Sequence, residues 1–348
     1  MKKILILQNK IMHYRKSLYN ELCKDFDVTI LHSGTVSVNK DDLYTEKIVK
    51  IKYLGPFVFQ EEVLKYAKEN NFDIVIAMFD LKWVMNILAL YLKPKKVKFI
   101  WWGHGYGQNE IGNTIRTYLI HKADSLILYS DKKISRFIED GIDKNKIFIA
   151  HNTFEIKNAE LNPNIKRNSF LFVGRLQQRK KVDILIESFH KIVKDIDENI
   201  TLKIIGSGKE EIFLQQLIKK LHLEKRVLLL GAITDDSILK SHYQSALAYV
   251  SPGAVGLGVL HSFAYGVPVV TGRFEHHGPE LDDNIIEGYN GIIYNDETEL
   301  SDILLQFIKD ESYSYGLGEH AYQHFAEKRS IENMAQGFKD AICYSMEQ

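Results

Sequence analysis

The chain has 348 residues, 45% hydrophobic and 26% charged, a length that favours two domains over one core and the composition of an ordinary soluble protein. Its 45 Lys and Arg balance 45 Asp and Glu, and nucleic acid is not among the expected partners. Cys23 and Cys343 stand far apart without metal-type spacing, which argues against a disulfide scaffold or a zinc site and fits a reducing, cytoplasmic compartment.

The zero net charge conceals an asymmetry. Residues 1–165 carry 25 Lys and Arg against 19 Asp and Glu, leaving 20 against 26 in residues 166–348. The halves either face different partners or differ only in surface decoration. The opening MKKILILQNK has too short an apolar run for a leader core and reads as a first buried strand. No apolar run approaches the ~20 residues that span a bilayer.

In chain order, strands are expected at KILIL (3–7), DVTIL (27–31), KIVKIKYL (47–54), FDIVIAMF (72–79), KVKFIWW (96–102), SLILYS (125–130) and KIFIAH (146–151). Several are continuous apolar runs, as expected of parallel strands covered on both faces. Helical patterns lie between them near 13–25, 60–70, 81–92, 110–121 and 131–140, so the first half predicts a doubly wound parallel sheet. Around ELNPNIKRN (160–168) Pro, Asn and charge replace the apolar signal and mark a linker. The alternation restarts with SFLFVG (169–174), ITLKIIG (200–206), VLLLG (227–231), ALAYV (246–250), VPVVTG (267–272) and GIIY (291–294). A final amphipathic helix spaces Ile331, Met334, Phe338, Ile342 and Tyr344 about one turn apart. The expected domains are therefore 1–163, 164–327 and a terminal helix, 328–348, returning to the first domain.

Ligands of doubly wound sheets bind at the carboxyl ends of strands, so chemistry is expected in a cleft between two such domains. In FVGRLQQRKKVDILIESF (172–189) a strand ends at Gly174, and Arg175 and Lys180 precede a helix. A planar guanidinium, a compact ammonium and a helix N-terminus suit a diphosphate; the bland alternative is a solvated basic turn. IIGSGKE (204–210) places Gly206 and Gly208 after a strand, but Glu211 stands where a dinucleotide fingerprint needs a third glycine, which disfavours NAD. In FIWWGHGYGQNE (99–110), His104 follows a strand between two glycines that allow close backbone approach, with Trp101 and Trp102 read as core and cleft wall. His276 and His277 are adjacent on a loop and cannot easily share one ion; no metal site is expected.

These motifs, with VLLLG, HYQSALAYVSP, VGLGVLHSFAYGVPVVT, and GPEL followed by Asn290-Gly291, resemble the retaining glycosyltransferases of family four (glycosyl transferases group 1), covering almost the whole second half. ADSLILYS and KIFIAHN in the first half are similar more loosely. The resemblance implies a GT-B fold, with two Rossmann-like domains and a cleft between them. It implies retaining, metal-independent sugar transfer from a nucleotide diphosphate donor, a UDP-sugar being expected, without a cofactor. The matching Arg175 and Lys180 would bind the diphosphate and stabilise the leaving group. His104 would lie near the transferred sugar, Gly174, Gly206 and Glu280 beside the donor, and Pro279 at the start of a short helix after Gly278. A glycine normally follows the lysine; here Lys181 is expected to add charge at the same helix start.

The chain departs from the family at both glutamates of the E-x7-E motif, where Gly253 and His261 stand. A glycine offers no side chain, whereas an imidazole still donates and accepts hydrogen bonds. The backbone of Gly256, Leu257 and Gly258 at a helix start would supply amides to donor oxygens. The family's early glycine-rich loop is also missing: His13, Tyr14 and Arg15 stand after the first strand, either meeting the acceptor or decorating a surface helix. The resemblance suggests a glycan or lipid-linked acceptor in surface polysaccharide synthesis. Basic, apolar LKWVMNILALYLKPKKVK (81–98) and KIMHYRKSLYNELCK (10–24) suggest docking on an anionic inner membrane face, against the alternative of a core-packed helix for 81–92. The alternatives of other classes are a sugar-nucleotide or glycan-binding protein without catalysis, and a nucleotide-sugar epimerase.

Overall fold

The computed structural model describes residues 1–68, 71–132, 134–273, 277 and 280–348. Contacts gather into two compact units, Met1–Glu155 with Arg329–Gln348, and Ile156–Lys328.

The first unit begins with β1 (Lys2–Leu7), whose residues 4–7 are wholly buried, as in a central strand covered on both faces. A 3-10 turn at His13–Arg15 leads into α1 (Lys16–Leu22), followed by β2 (Phe26–His32) and β3 (Thr45–Ile48). The run 47–54 is not one strand. After β3 the chain turns away, and β4 (Ile51–Leu54) pairs antiparallel with β5 (Phe57–Gln60) around Gly55, whose φ is +56°. Lys47, Lys50 and Lys52 interrupt the apolar run, so it cannot be buried on both faces like the central strands.

The chain continues through α2 (Val63–Lys68), β6 (Ile74–Met78), α3 (Val84–Leu92), β7 (Lys98–Gly103), α4 (Glu110–Lys122), β8 (Ser125–Leu128), α5 (Ile134–Glu139) and β9 (Ile147–Ile149). Asn109 caps α4, its side chain accepting from the Gly112 N–H at 2.9 Å. The sheet order is β3-β2-β1-β6-β7-β8-β9, parallel throughout. One face packs Leu90, Leu119 and Phe137 over Leu5, Val75, Phe99 and Leu126.

The second unit comprises β10 (Ser169–Val173), α6 (Val182–Ile192), β11 (Thr201–Ile205), α7 (Glu211–Lys220), β12 (Val227–Leu229), α8 (Asp236–Gln244), β13 (Ala246–Ser251), α9 (Gly258–Ala264), β14 (Val269–Gly272), α10 (Glu280–Asn284), β15 (Gly291–Tyr294), α11 (Glu299–Lys309) and α12 (Glu311–Lys328). Its sheet, β12-β11-β10-β13-β14-β15, is also parallel throughout. Arg167, in the stretch read as linker, is buried: its guanidinium donates to the Gly266 carbonyl at 2.7 Å and to Ser314 Oγ at 3.0 Å. That end of the stretch belongs to the packed unit.

Finally α13 (Ile331–Glu347), capped by Ser330, returns to the first unit and buries Met334, Phe338 and Ile342 with Leu18, Tyr19 and Ile127. The two parallel sheets are those of a GT-B fold.

Two helical glycines separate packing from propensity. A Cβ on Gly337 of α13 would lie 2.1 Å from the Ile149 carbonyl oxygen, whereas one on Gly316 of α12 meets nothing within 4 Å. Gly337→Ala is therefore expected to lower stability by about 1–3 kcal/mol, as overpacking does. Gly316→Ala is expected to raise it by about 0.5–1 kcal/mol through helix propensity. Urea unfolding midpoints of the two variants check both signs.

Candidate functional site

In the second unit the chain runs outward from β10 to β12, then crosses back to β13, so the strand order reverses between β10 and β13. The crevice beyond the carboxyl ends of that strand pair is where such sheets hold ligands. Gly174 and Arg175 follow β10, and Pro252, Gly253 and Ala254 follow β13.

The loops after β10 and β11 lie backbone on backbone. Gly174 N–H donates to the Ile205 carbonyl at 2.9 Å, Leu176 N–H to Ser207 at 3.0 Å, and Gly206 N–H to Gly231 at 2.7 Å. A Cβ on Gly206, at φ +144°, would sit 1.8 Å from the Gly174 carbonyl oxygen, and one on Gly208 2.1 Å from that of Leu176. These glycines are required by loop against loop. Beside them opens a pocket of about 220 Å³ lined by Gly174, Arg175, Gly206, Ser207, Ala232 and Ile233. Arg175 is exposed there, with no hydrogen-bond or ion-pair partner among the described residues.

A 3-10 turn at Gln178–Lys180 precedes α6. Lys180 Nζ donates to the Ala254 carbonyl. In return Gly253 N–H donates to the Lys180 carbonyl at 3.1 Å and Ala254 N–H to that of Arg179 at 2.9 Å. A Cβ at position 253 would lie 2.1 Å from the Arg179 carbonyl oxygen. Position 253 thus has no room for any side chain. Burial, with Arg179 beside it, lowers the Lys180 ammonium to about 8, and the Glu280 carboxylate pulls it back upward. Lys181 holds a left-handed conformation at φ +49°, and its Nζ meets Glu297 at 2.7 Å. The charge expected at the helix start is therefore committed to Glu297.

A Cβ on Gly256 would meet nothing within 4 Å among the described residues, whereas one on Gly258 would lie 2.7 Å from the Tyr249 hydroxyl. That hydroxyl donates to the Val173 carbonyl at 3.2 Å, which ties the start of α9, after Leu257, to the end of β10. His261, three residues on, stacks on Tyr243 with ring centroids 5.8 Å apart and 23° between planes. Burial lowers its imidazole to about 4, with Asp236 opposing, so the ring is neutral at pH 7. His277 Nδ1 accepts the Val255 N–H at 3.2 Å and holds the preceding turn. His276, Gly278 and Pro279 lie outside the described residues. Among the described residues no group of three or more His, Cys, Asp or Glu side chains is placed to hold a metal ion.

In the first unit the reversal falls between β1 and β6, and His13, Tyr14 and Arg15 follow β1. His13 is exposed; Arg15 is buried, bonded to Asn152 Oδ1 and 3.0 Å from Met334 Sδ. Its guanidinium also lies 5.2 Å from the Tyr14 and Tyr129 ring centroids and 5.5 Å from that of Trp102. Exposed His104, beyond β7, contacts the same Tyr129 at 4.8 Å. One tyrosine therefore joins His104 to the 13–15 turn.

Sequence reasoning missed Ser207, Ala232, Ile233 and the Ala254 carbonyl. A pocket wall of small and aliphatic residues and a backbone acceptor leave no chemical signature in a sequence. Tyr129, one residue past β8, carried only the signal of its position.

Residues 153–324 match the model of the family described as glycosyl transferases group 1. The chain is 24% identical to the N-acetyl-alpha-D-glucosaminyl L-malate synthase of Bacillus anthracis over 64% of this chain and 67% of that protein. Among solved structures it superposes on a glycosyltransferase from Rickettsia africae with TM-score 0.75 and 17% identity, covering 99% and 97% of the two chains. HepE of Anabaena in complex with UDP gives TM-score 0.72 and 17% identity, covering 99% and 100%.

Gly253→Ala is expected to lower stability by about 1–3 kcal/mol, because the new Cβ must push the 179–180 backbone away. Gly253→Glu should be no more stable than Gly253→Ala; thermal unfolding of both variants measures this. A second expectation concerns pH. The folded His261 binds its proton only near pH 4, against 6.5 for an unperturbed histidine, so the unfolded chain holds more protons between those values. Stability should fall as pH drops through that window, and less steeply in His261→Gln, read from urea midpoints at pH 7 and pH 5.

Proposed function

From the match of residues 153–324 to the glycosyl transferases group 1 we propose that this chain is a retaining glycosyltransferase using a nucleoside diphosphate sugar. One observation carries the reading: the Arg175 guanidinium, exposed and without a hydrogen-bond or ion-pair partner among the described residues, stands on a pocket at the β10/β13 reversal, with the Lys180 turn following it. An exposed cation beside a pocket at the carboxyl ends of parallel strands suits an anionic nucleotide.

The nucleobase enters the pocket walled by Gly206, Ser207, Ala232 and Ile233, and the diphosphate reaches Arg175 and Lys180. A uridine base is favoured because HepE of Anabaena was solved with UDP and with UDP-glucose. In transfer, the bond between the anomeric carbon and the diphosphate oxygen breaks, and its electron pair stays on that oxygen. The acceptor hydroxyl oxygen forms the new bond on the same face, and its proton passes to the departing diphosphate. Arg175 and Lys180 balance the charge that develops there, without a metal ion. With Gly253 sealed against the 179–180 backbone, the donor is held by Arg175, Lys180, Gly174, Glu280, the amides of Gly256, Leu257 and Gly258, and the neutral His261 ring.

The acceptor, a glycan or lipid-linked glycan of surface polysaccharide synthesis, meets His13 and Tyr14 at the reversal of the first sheet. Buried Arg15 braces that turn, and His104 contacts Tyr129 beside it. The enzyme works in the cytoplasm, at the inner membrane face. The absent acids favour a second reading, a binding protein that takes up donor without turnover. Release of nucleoside diphosphate that depends on acceptor separates the two.

In a folded Arg175→Ala protein, transfer should fall ten- to a hundredfold or more, since a hydrogen bond to a charged group is worth roughly 1.5–3 kcal/mol. Unchanged turnover would sink the assignment. His261→Ala should weaken binding of UDP itself as well as of the donor, measured by calorimetry; an effect confined to the acceptor would remove His261 from the donor site. UDP affinity should also decline as pH rises above about 8, where unliganded Lys180 loses the proton that the bound diphosphate requires. Lys180→Arg should flatten this alkaline limb, because a guanidinium stays protonated.

A further inference from the structure

Two helices of the first unit are apolar on both sides. α3 buries Ala89 and Leu90 and turns Leu88, Tyr91 and Leu92 to solvent. α4 buries Leu119 and Ile120 and exposes Ile111, Ile115 and Tyr118, which recur at helical spacing along one outer face. The Tyr91 and Tyr118 side chains lie close enough to interact, so the two stripes meet in one patch. Ile111 is 76% exposed and Tyr118 56%, in helices whose inner faces already supply the core. Soluble surfaces seldom carry such contiguous apolar area without a use.

The charge along these two helices is mostly positive, although Asp140 lines the same pocket as Tyr118. Residues 81–123 contain seven Lys and Arg and a single acid, Glu110. That carboxylate is bound to Arg136, and the next acid along the chain, Asp124, faces Lys98 at 3.5 Å. Lys82 before α3, Lys95 and Lys96 after it, and Lys122 at the end of α4 are exposed. Lys122 Nζ lies 5.5 Å from the Tyr118 ring centroid, with cation and apolar ring side by side. Lys93 is engaged inward, donating to the Val97 carbonyl.

We propose that the outer faces of α3 and α4 dock on an anionic lipid bilayer. The six apolar side chains enter the headgroup layer while Lys82, Lys95, Lys96 and Lys122 meet lipid phosphates. Tyrosine suits this position, since its ring is apolar and its hydroxyl wet. Among the described residues no helix is long and apolar enough to cross a membrane, and the patch lies in the bilayer surface. The identity of the face deepens the reading of a membrane-side acceptor, on which it rests, but binding to lipid requires neither donor nor turnover.

The test is co-sedimentation of the full chain with vesicles of phosphatidylcholine alone and of phosphatidylcholine mixed with phosphatidylglycerol. The expected result is binding to the mixed vesicles at low salt, little to the neutral ones, and release by added salt. Lys95→Gln with Lys96→Gln should weaken binding by about tenfold or more, given roughly 1 kcal/mol per lysine at an anionic surface. Ile111→Ser with Ile115→Ser should also weaken it, while both double variants keep wild-type UDP binding in calorimetry. Absence of binding, equal binding to neutral vesicles, or binding indifferent to both double variants would overturn the proposal. So would a concentration-dependent dimer that Ile111→Ser with Ile115→Ser dissolves, because a second copy would then cover the face. Failure to bind UDP, with vesicle binding intact, would instead count against the transferase reading.

Discussion

At the carboxyl ends of β10, β11 and β13, main chain lies directly on main chain, and the candidate donor site depends on that contact. Gly206 faces the Gly174 carbonyl, Gly208 that of Leu176, and Gly253 that of Arg179, each at a separation no Cβ could tolerate. Hydrogen bonds close the same seams, from Leu176 N–H to Ser207 and from Gly253 N–H to Lys180. Loops are ordinarily the mobile part of an α/β unit. Here three are locked to one another, so Arg175 and the Lys180 turn project from a rigid base. The pocket lies beside the same packing, where Gly174, Gly206, Ser207 and Ala232 leave space between the aliphatic Val173, Ile205 and Ile233.

The electrostatics of the second unit follow from how each cation is treated. Arg175 is left exposed on the pocket, Lys180 is largely desolvated and lowered to about 8, and Lys181 is paired with Glu297. Burial lowers Arg167 to about 10, and its charge is met by carbonyl and hydroxyl oxygens of Gly266 and Ser314. Neighbouring basic residues in one chain therefore differ sharply in what they can offer a ligand. Arg15 in the first unit shows the same economy: a buried guanidinium among Tyr14, Trp102 and Tyr129, satisfied by amide and carbonyl oxygens of Asn152 and Thr153. Ring faces stabilise such a cation through their quadrupoles, which permits burial in the absence of a neighbouring carboxylate.

The apolar character of α3 illustrates how one sequence pattern holds two messages. A run such as VMNILALYL satisfies the core through Ala89 and Leu90 and still has Leu88, Tyr91 and Leu92 left over. Periodicity alone could not divide these, because almost every position is apolar and the hydrophobic stripe has no edge. Only the placement of α3 over the sheet settles which side is covered.

The sequence by itself determined the alternation of buried parallel strands and helices, and the ordered motifs of the second half lie in the stretch that matches the family model. Continuous apolar runs such as residues 3–7 and 169–173 admit few other fates than a sheet covered on both faces. The tertiary structure decided why position 253 carries no side chain, since a Cβ there would clash with the backbone of Arg179, 74 positions earlier in the chain. It decided that Lys181 serves Glu297, that Arg15 is buried beneath His13 and Tyr14, and that the run 47–54 divides between a parallel sheet and a hairpin. Each of these depends on which distant segment comes within a few ångströms, and local propensity and periodicity carry no information about that. The strands were legible because burial acts on every residue of a run. The candidate site was legible where a charged side chain or a glycine turn declared itself and not elsewhere, because carbonyl oxygens and amides are present at nearly every position and only folding selects among them.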